Sequence, residues 1–320
     1  MRKNMTAVEP KGPTVRSKKL LQLKSYWPVY LMMLPGLVYI FINNYMPMPG
    51  VIVAFKTYKA KLGIYGSPWA GLKNFRYLFA TQDAWIITRN TILYNLAFIT
   101  VNTILAIIVA IVLSEMVAKR LKKFTQSAIL LPYLISWVIV SYLVFAFLSG
   151  ENGFFNNTLL PFLGLEPVNW YMETKAWPYV LIFASSWKSI GYNCIIYLST
   201  ILGIDRGYYE AADLDGATRW DKIRFITLPM LKPTVIIMTL LAVGRIFYSD
   251  FGLFYQVPMN SGALYSATST IDTYVYNGLM QLNNIPMSAA AGLYQSFVGF
   301  ILIMGSNLLV KRMSPEDALF

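Results

Sequence analysis

The chain of 320 residues contains no histidine and a single cysteine, Cys194, and only 13% of it is charged. Without histidine it lacks the commonest general base and metal ligand, and one thiol cannot close an internal disulfide. No cluster of nucleophile, base or metal ligands can be assembled from what remains, so neither a catalytic site nor a metal site is expected. Cys194 falls inside an apolar run and reads as packing. The string G-x-x-x-x-G-K-S/T, whose backbone amides cradle phosphate, is also missing. No internal repeat or low-complexity tract is visible, and among acids only Asp250 falls well inside an apolar run. That disfavours a secondary transporter, which needs paired halves and intramembrane acids for ion coupling.

What is present is apolar: 56% of residues are hydrophobic and the mean hydropathy is +0.50. A helix needs about 20 apolar residues to cross the roughly 30 Å of bilayer hydrocarbon. Six runs qualify, at 26–46, 91–114, 126–148, 178–202, 232–254 and 288–310. The reading is an all-α polytopic membrane protein with six transmembrane helices. It divides into a basic segment 1–25, a six-helix transmembrane body 26–310 and a tail 311–320. The first run is followed by Asn43-Asn44-Tyr45-Met46-Pro47 rather than by small residues, so it is not a cleavable signal.

The formal charge of +12 does not point to nucleic acid, because the basic residues flank the apolar runs. Segments 1–25, 115–125, 203–232 and the end after 310 hold eighteen Lys and Arg, against six in 47–90, one in 149–177 and none in 255–287. Both termini are therefore expected in the cytoplasm. The mixed stretch Thr14–Lys24 reads equally as a helix on the inner leaflet or as a solvated basic tail. Segment 47–90, with Gly63, Gly66, Pro68 and Gly71, predicts an ordered outer loop of short pieces.

The segment 203–232 departs from the rest, with five acids and five bases. Asp205 can cap one short helix, and Gly216 can end it. Thr218 with Asp221 can start a second, bounded by Pro229 and Pro233. Ala211 and Ala212 leave a smooth surface with Glu210 and Asp215 at its rim. Such a helix fits a partner's groove, or rests on its own protein.

The pattern Glu210-Ala211-Ala212, three residues, Gly216, nine residues, Ile226-x-Leu228-Pro229 resembles the E-A-A loop of binding-protein-dependent ABC importer permeases. Trp187–Asn193, Ser67–Phe75 and Ile271–Tyr276 resemble the carbohydrate branch of that family, of the polysaccharide, lipoprotein-linked, alginate or maltose type. The resemblance implies the type I importer fold. It also implies a coupling role for Glu210, Ala211, Ala212, Asp215, Gly216, Leu228 and Pro229, with ATP and Mg bound by partner ATPases and none by this chain. The implied partners are two ATPase subunits, a second homologous permease completing a heterodimer, an external solute-binding protein, a sugar or oligosaccharide, and the bilayer of the bacterial plasma membrane.

Ionisable residues inside spans cost about 2.5–3.5 kcal/mol each, so they face a cavity or a partner. Lys188 lies in the fourth run, and Arg245 and Asp250 in the fifth. Tyr192 follows Lys188 by four and Tyr248 follows Arg245 by three, so each pair is expected to share a helix face. With Trp187, Asn193 and Tyr197 they read as a polar, aromatic translocation wall, or singly as members of structural networks.

Overall fold

The computed structural model describes residues 26–313; the segment 1–25 and the tail 314–320, on which two of the sequence expectations fall, lie outside the described residues. Regular structure among the described residues is helical, with only isolated bridges joining Lys56 to Trp69 and Lys59 to Gly63. The chain divides into two compact units, Met1–Ile52 and Val53–Phe320.

In the first unit, helix α1 (Trp27–Ile40) starts with Pro28 in its first turn and runs into a π-helical turn, Phe41–Tyr45. Its sequence holds no charge, and Asn43 satisfies its amide on the Tyr39 carbonyl at 2.9 Å. Such self-satisfaction is what a lipid environment demands of a lone polar side chain.

The second unit begins with short pieces, as expected for 47–90. Lys56, only 8% exposed, donates to the carbonyls of Ile64 and Tyr65, and Asn74 bonds the carbonyls of Ala54 and Lys56. There follow α2 (Lys73–Ala80), α3 (Gln82–Glu115), α4 (Lys119–Leu134), α5 (Trp137–Leu148) and α6 (Trp177–Leu202). After these come α7 (Arg206–Leu214), α8 (Arg219–Lys222), α9 (Leu228–Gly244), α10 (Phe251–Gln256), α11 (Ile271–Met280) and α12 (Ile285–Met313).

Among the described residues four helices are long and apolar enough to cross a membrane, Trp27–Phe55, Gln82–Glu115, Arg219–Gly244 and Ile285–Arg312; α4 and α5, bent by 96°, would make a fifth. The expectation of six uninterrupted helical runs is thus corrected in two places, and a third run, though unbroken, is more polar than the others. The run 126–148 is broken at Ile135–Ser136, because Pro132 removes a ladder donor and Ser136 starts a new helix by accepting from the Ile139 N–H at 3.4 Å. The run 232–254 stops as a helix at Gly244 and resumes only at Phe251. The run 178–202 is one helix of 26 residues, but Ser185, Ser186, Lys188, Ser189 and Asn193 make it too polar to qualify.

Position explains that polarity. Helix α6 packs against α3, α4 and α9, and it buries Ser185 and Ser186 along with eight other residues. A helix shielded by other helices need not be apolar all round, provided its polar groups are paired. Ser186 donates to Asn102 of α3 at 2.7 Å. Around α6 lie one cluster containing Trp177, Leu181, Ala184 and Phe254 and another containing Cys194, Tyr197, Ala106 and Leu231. Cys194 is packing, as expected. Between α5 and α6, beside the first cluster, burial pushes the Tyr171 phenol up to about 12, so it stays neutral.

Candidate functional site

The segment 203–232 folds as an internally locked helical hairpin. Asp205 accepts from the Gly207 N–H at 2.9 Å and caps α7. Gly216 ends it at φ +76°, where its own N–H bonds the Asp213 carbonyl and the Ala217 N–H bonds Ala212, the two bonds of a Schellman closure. Thr218 and Asp221 form the capping box of α8. Lys222 then closes the hairpin on Asp213 at 2.7 Å, and the Tyr209 hydroxyl meets Thr227 at 3.0 Å.

The prolines act differently from the sequence expectation. Neither bounds the second helix: Pro229 sits in the first turn of α9 and Pro233 within it, and a π-helical turn at Ile223–Thr227 absorbs the disruption. The hairpin therefore joins the membrane through one helical piece, Arg219–Gly244. Glu210, Ala211, Asp215 and Gly216 are exposed, as are Leu228 and Pro229, while Ala212 is half-buried. Beside them Leu214 is 90% exposed and Trp220 65%. Large apolar side chains held open on a rigid base mark a surface meant to be covered.

Within the membrane the polar residues converge on the two helix breaks. Lys188 of α6 donates its ammonium to the carbonyls of Tyr133 at 2.8 Å, Pro132 at 3.3 Å and, most closely, Ile135. These are carbonyls at the end of α4, of which only that of Pro132 also accepts locally, from the Ile135 N–H at 3.2 Å, and a cation there also meets the negative end of the helix dipole. The ammonium lies 5.3 Å from the centre of the Trp137 ring and 5.7 Å from that of Tyr133. Tyr133 stacks on Tyr192 at 4.7 Å, so Lys188 and Tyr192 share a face as expected. Trp137 in turn donates its indole N–H to Asp250 at 2.8 Å, and Asp250 caps α10 through the Leu253 N–H.

The second break, 245–250, is clamped from three helices. Asn95 of α3 donates to the carbonyls of Ile246 and Tyr248, both at 3.0 Å, and Gln295 of α12 donates to that of Phe247 at 3.0 Å. Asp272 of α11 accepts from the Ser249 N–H at 2.7 Å, from its hydroxyl at 2.6 Å and from Gln295 at 3.1 Å. Backbone freed from a helix at membrane depth is tolerated where protein satisfies it or where it lines a cavity.

The other path residues separate. Arg245 and Tyr248 do not share a helix face, because Gly244 is the last helical residue. Tyr197 is 2% exposed and belongs to the core. Trp187 lines an apolar groove of about 600 Å³ with Leu143, Phe147, Tyr179 and Phe183, not a polar wall. Asn193 is half-buried. Residues missed in the sequence are Trp137, Asn95, Asp272 and Gln295. Two signals were available: Pro132 four residues before Ser136, and Asn95 with Asn102 seven apart, on one face of an otherwise apolar helix.

Comparison with known proteins was made on this framework. Residues 102–315 match the family model described as binding-protein-dependent transport system inner membrane component. The polygalacturonan/rhamnogalacturonan transport system permease protein YteP of Bacillus subtilis (strain 168) is 33% identical over 301 residues, 94% of this chain and 93% of that protein. The crystal structure of a bacterial ABC transporter involved in the import of the acidic polysaccharide alginate contains a chain with TM-score 0.84 and 29% identity, covering 93% of this chain and 99% of that one. A bacterial alginate ABC transporter in complex with an alginate pentasaccharide-bound periplasmic protein gives TM-score 0.81 and 29% identity over 92% and 97% of the two chains.

Proposed function

Because this chain belongs to the family of binding-protein-dependent transport system inner membrane components, we propose that it is the half-channel of an ATP-driven saccharide importer, moved by ATPase subunits seated on the hairpin 203–232. It is an all-helical, multi-pass permease component of a sugar ABC transporter, not an enzyme in its own right. The observation that carries the coupling role is the hairpin: exposed outside, locked inside, and continuous with a membrane helix. In this reading α7 enters an ATPase cleft with Ala211 and Ala212 at the contact and Glu210 and Asp215 at its rim. Gly216 sets the angle to α8, and Leu228 and Pro229 stand where the hairpin joins the span.

The energy comes from ATP and Mg on two partner ATPases. A second permease completes the path, with both chain ends in the cytoplasm. An external binding protein delivers the saccharide, as the alginate-loaded periplasmic protein in the related complex suggests. Six crossings are proposed, with α6 as the polar central one and the broken runs counted once each.

The test is co-expression with the cognate ATPase and second permease, comparing wild type with Glu210→Lys and Gly216→Pro. Charge reversal at the rim is expected to cut ATPase retention and uptake several-fold. Proline at Gly216 removes the N–H of the Schellman closure and forbids positive φ, at a cost of about 3 kcal/mol or more. It is expected to abolish substrate-dependent hydrolysis while the protein still inserts. Full uptake and full ATPase retention in both variants would remove the coupling role from this hairpin.

A further inference from the structure

The groove beside Trp187 has no part in the coupling described above, and it originates in the bend between α4 and α5. Helix α4 packs along α6, but α5 leaves α4 at 96°. Val140, near the start of α5, stays in the core shared with Leu181 and Ala184 of α6. Beside that core the two helices enclose a groove of about 600 Å³. Helix α5 contributes a row of side chains from Val140 to Leu148 and α6 a row from Tyr179 to Trp187, both at helical spacing. Apart from the Tyr179 hydroxyl and the Trp187 indole, no lining side chain carries a polar group. Both rows fall inside the apolar runs 126–148 and 178–202, and Phe183 and Tyr179 are 71% and 77% exposed.

We propose that this groove holds one acyl tail of a membrane phospholipid, wedged between α5 and α6. A void of this size is foreign to packed protein. A water held there needs two to four polar partners and a sugar needs several convergent ones, and the lining supplies neither. A helix of another subunit is too thick. Each row rises about 12 Å, so the groove has a mean cross-section of about 50 Å², against about 80–110 Å² for a helix with its side chains. At about 30 Å³ for each water-sized group, the groove takes roughly twenty methylenes, the size of one long tail. A tail in the bilayer is already dry, so the gain comes from filling the void and depends on tail length. The tail enters from the bilayer past Phe183 and Tyr179. By occupying the space it holds α5 off α6 and keeps the bend open beside the Lys188 contacts.

The test uses the complete transporter with its cognate partners in vesicles that mix two phosphatidylcholines, one with dibrominated eighteen-carbon tails and one with fourteen-carbon tails. Bromine quenches indole fluorescence on contact, and the Trp187 signal is the difference between wild type and Trp187→Phe. A tail four methylenes too short leaves about 120 Å³ empty, so the longer tail should be preferred at least tenfold. Trp187 is therefore expected to reach half of its maximal quenching at a mole fraction of brominated lipid of about one-tenth or below. Val144→Phe with Val180→Phe fills the groove from both walls and should move that midpoint to about one-half, with the remaining tryptophans unaffected. A midpoint near one-half in wild type would mean contact with bulk lipid only, and the proposal falls. A Trp187 signal that bromine does not quench would show that protein covers the groove, and the proposal falls to a subunit interface. An unchanged midpoint in a folded Val144→Phe, Val180→Phe variant would place the selective contact outside the groove, with the same result.

Discussion

Lys188→Met is expected to keep the chain in the membrane but to abolish uptake, with a marked fall in the thermal unfolding midpoint of the purified protein. The lysine is the only donor to the carbonyls of Pro132, Tyr133 and Ile135 that comes from another helix among the described residues. Methionine has similar length and removes all three bonds at once, leaving the carbonyls of Tyr133 and Ile135 unpaired while that of Pro132 keeps the Ile135 N–H. A carbonyl left unpaired in an apolar setting costs about 1–3 kcal/mol. The cation–π contacts to Tyr133 and Trp137 vanish with the charge. Without them Trp137 loses an anchor, and with it the link to Asp250. Arginine at 188 should restore part of the stability because it keeps several donors, whereas Trp137→Phe should lower uptake with a smaller stability loss. An unchanged midpoint in Lys188→Met would mean that water or lipid satisfies those carbonyls.

Gly191→Val is expected to be the most damaging single change in the membrane body. A side-chain carbon at this position would lie 2.1 Å from the Ile129 carbonyl oxygen and 2.9 Å from the Leu130 Cα. The obstacle is backbone, so no rotamer change relieves it; α4 and α6 would have to separate. Overpacking of this kind costs about 1–3 kcal/mol where side chains can shift, and more where they cannot. Separation would also draw the α4 carbonyls away from Lys188, three residues earlier on the same helix. The readout is the fraction of detergent-extracted protein that remains monodisperse and its unfolding midpoint. Gly191→Ala should show a smaller fall in the same direction. A valine variant with wild-type stability would show that the two helices have room to part.

Much of the hairpin 203–232 was legible from the sequence because its signals are local. Asp205, Gly216 and the Thr218–Asp221 pair each act within three residues, and each appears in the expected role. The spans were legible only as apolar runs. Hydropathy cannot locate a break whose residues are as apolar as the helices beside it, as in Ile246-Phe247-Tyr248. What makes the break tenable comes from Asn95, Asp272 and Gln295, 23 to 153 residues away in the chain for the bonded pairs. Those pairings belong to the tertiary structure, and one sequence does not reveal them. Lys188 illustrates the same limit: its cost in the membrane was evident, its acceptors were not.

The helical piece Arg219–Gly244 has 26 residues, about 39 Å at 1.5 Å per residue. Rocking it by about 5° about its centre would carry each end roughly 1.7 Å. At the Arg219 end, in the coupling proposed above, that is a small displacement within a docked surface. At the Gly244 end it exceeds the range over which an amide–carbonyl contact near 3.0 Å survives, and the Asn95 and Gln295 contacts stand at that distance. In the coupling proposed above, the clamps act as a mechanical detent: below a threshold tilt the segment 245–250 holds its place, and beyond it several contacts release together, turning a graded push into a discrete step.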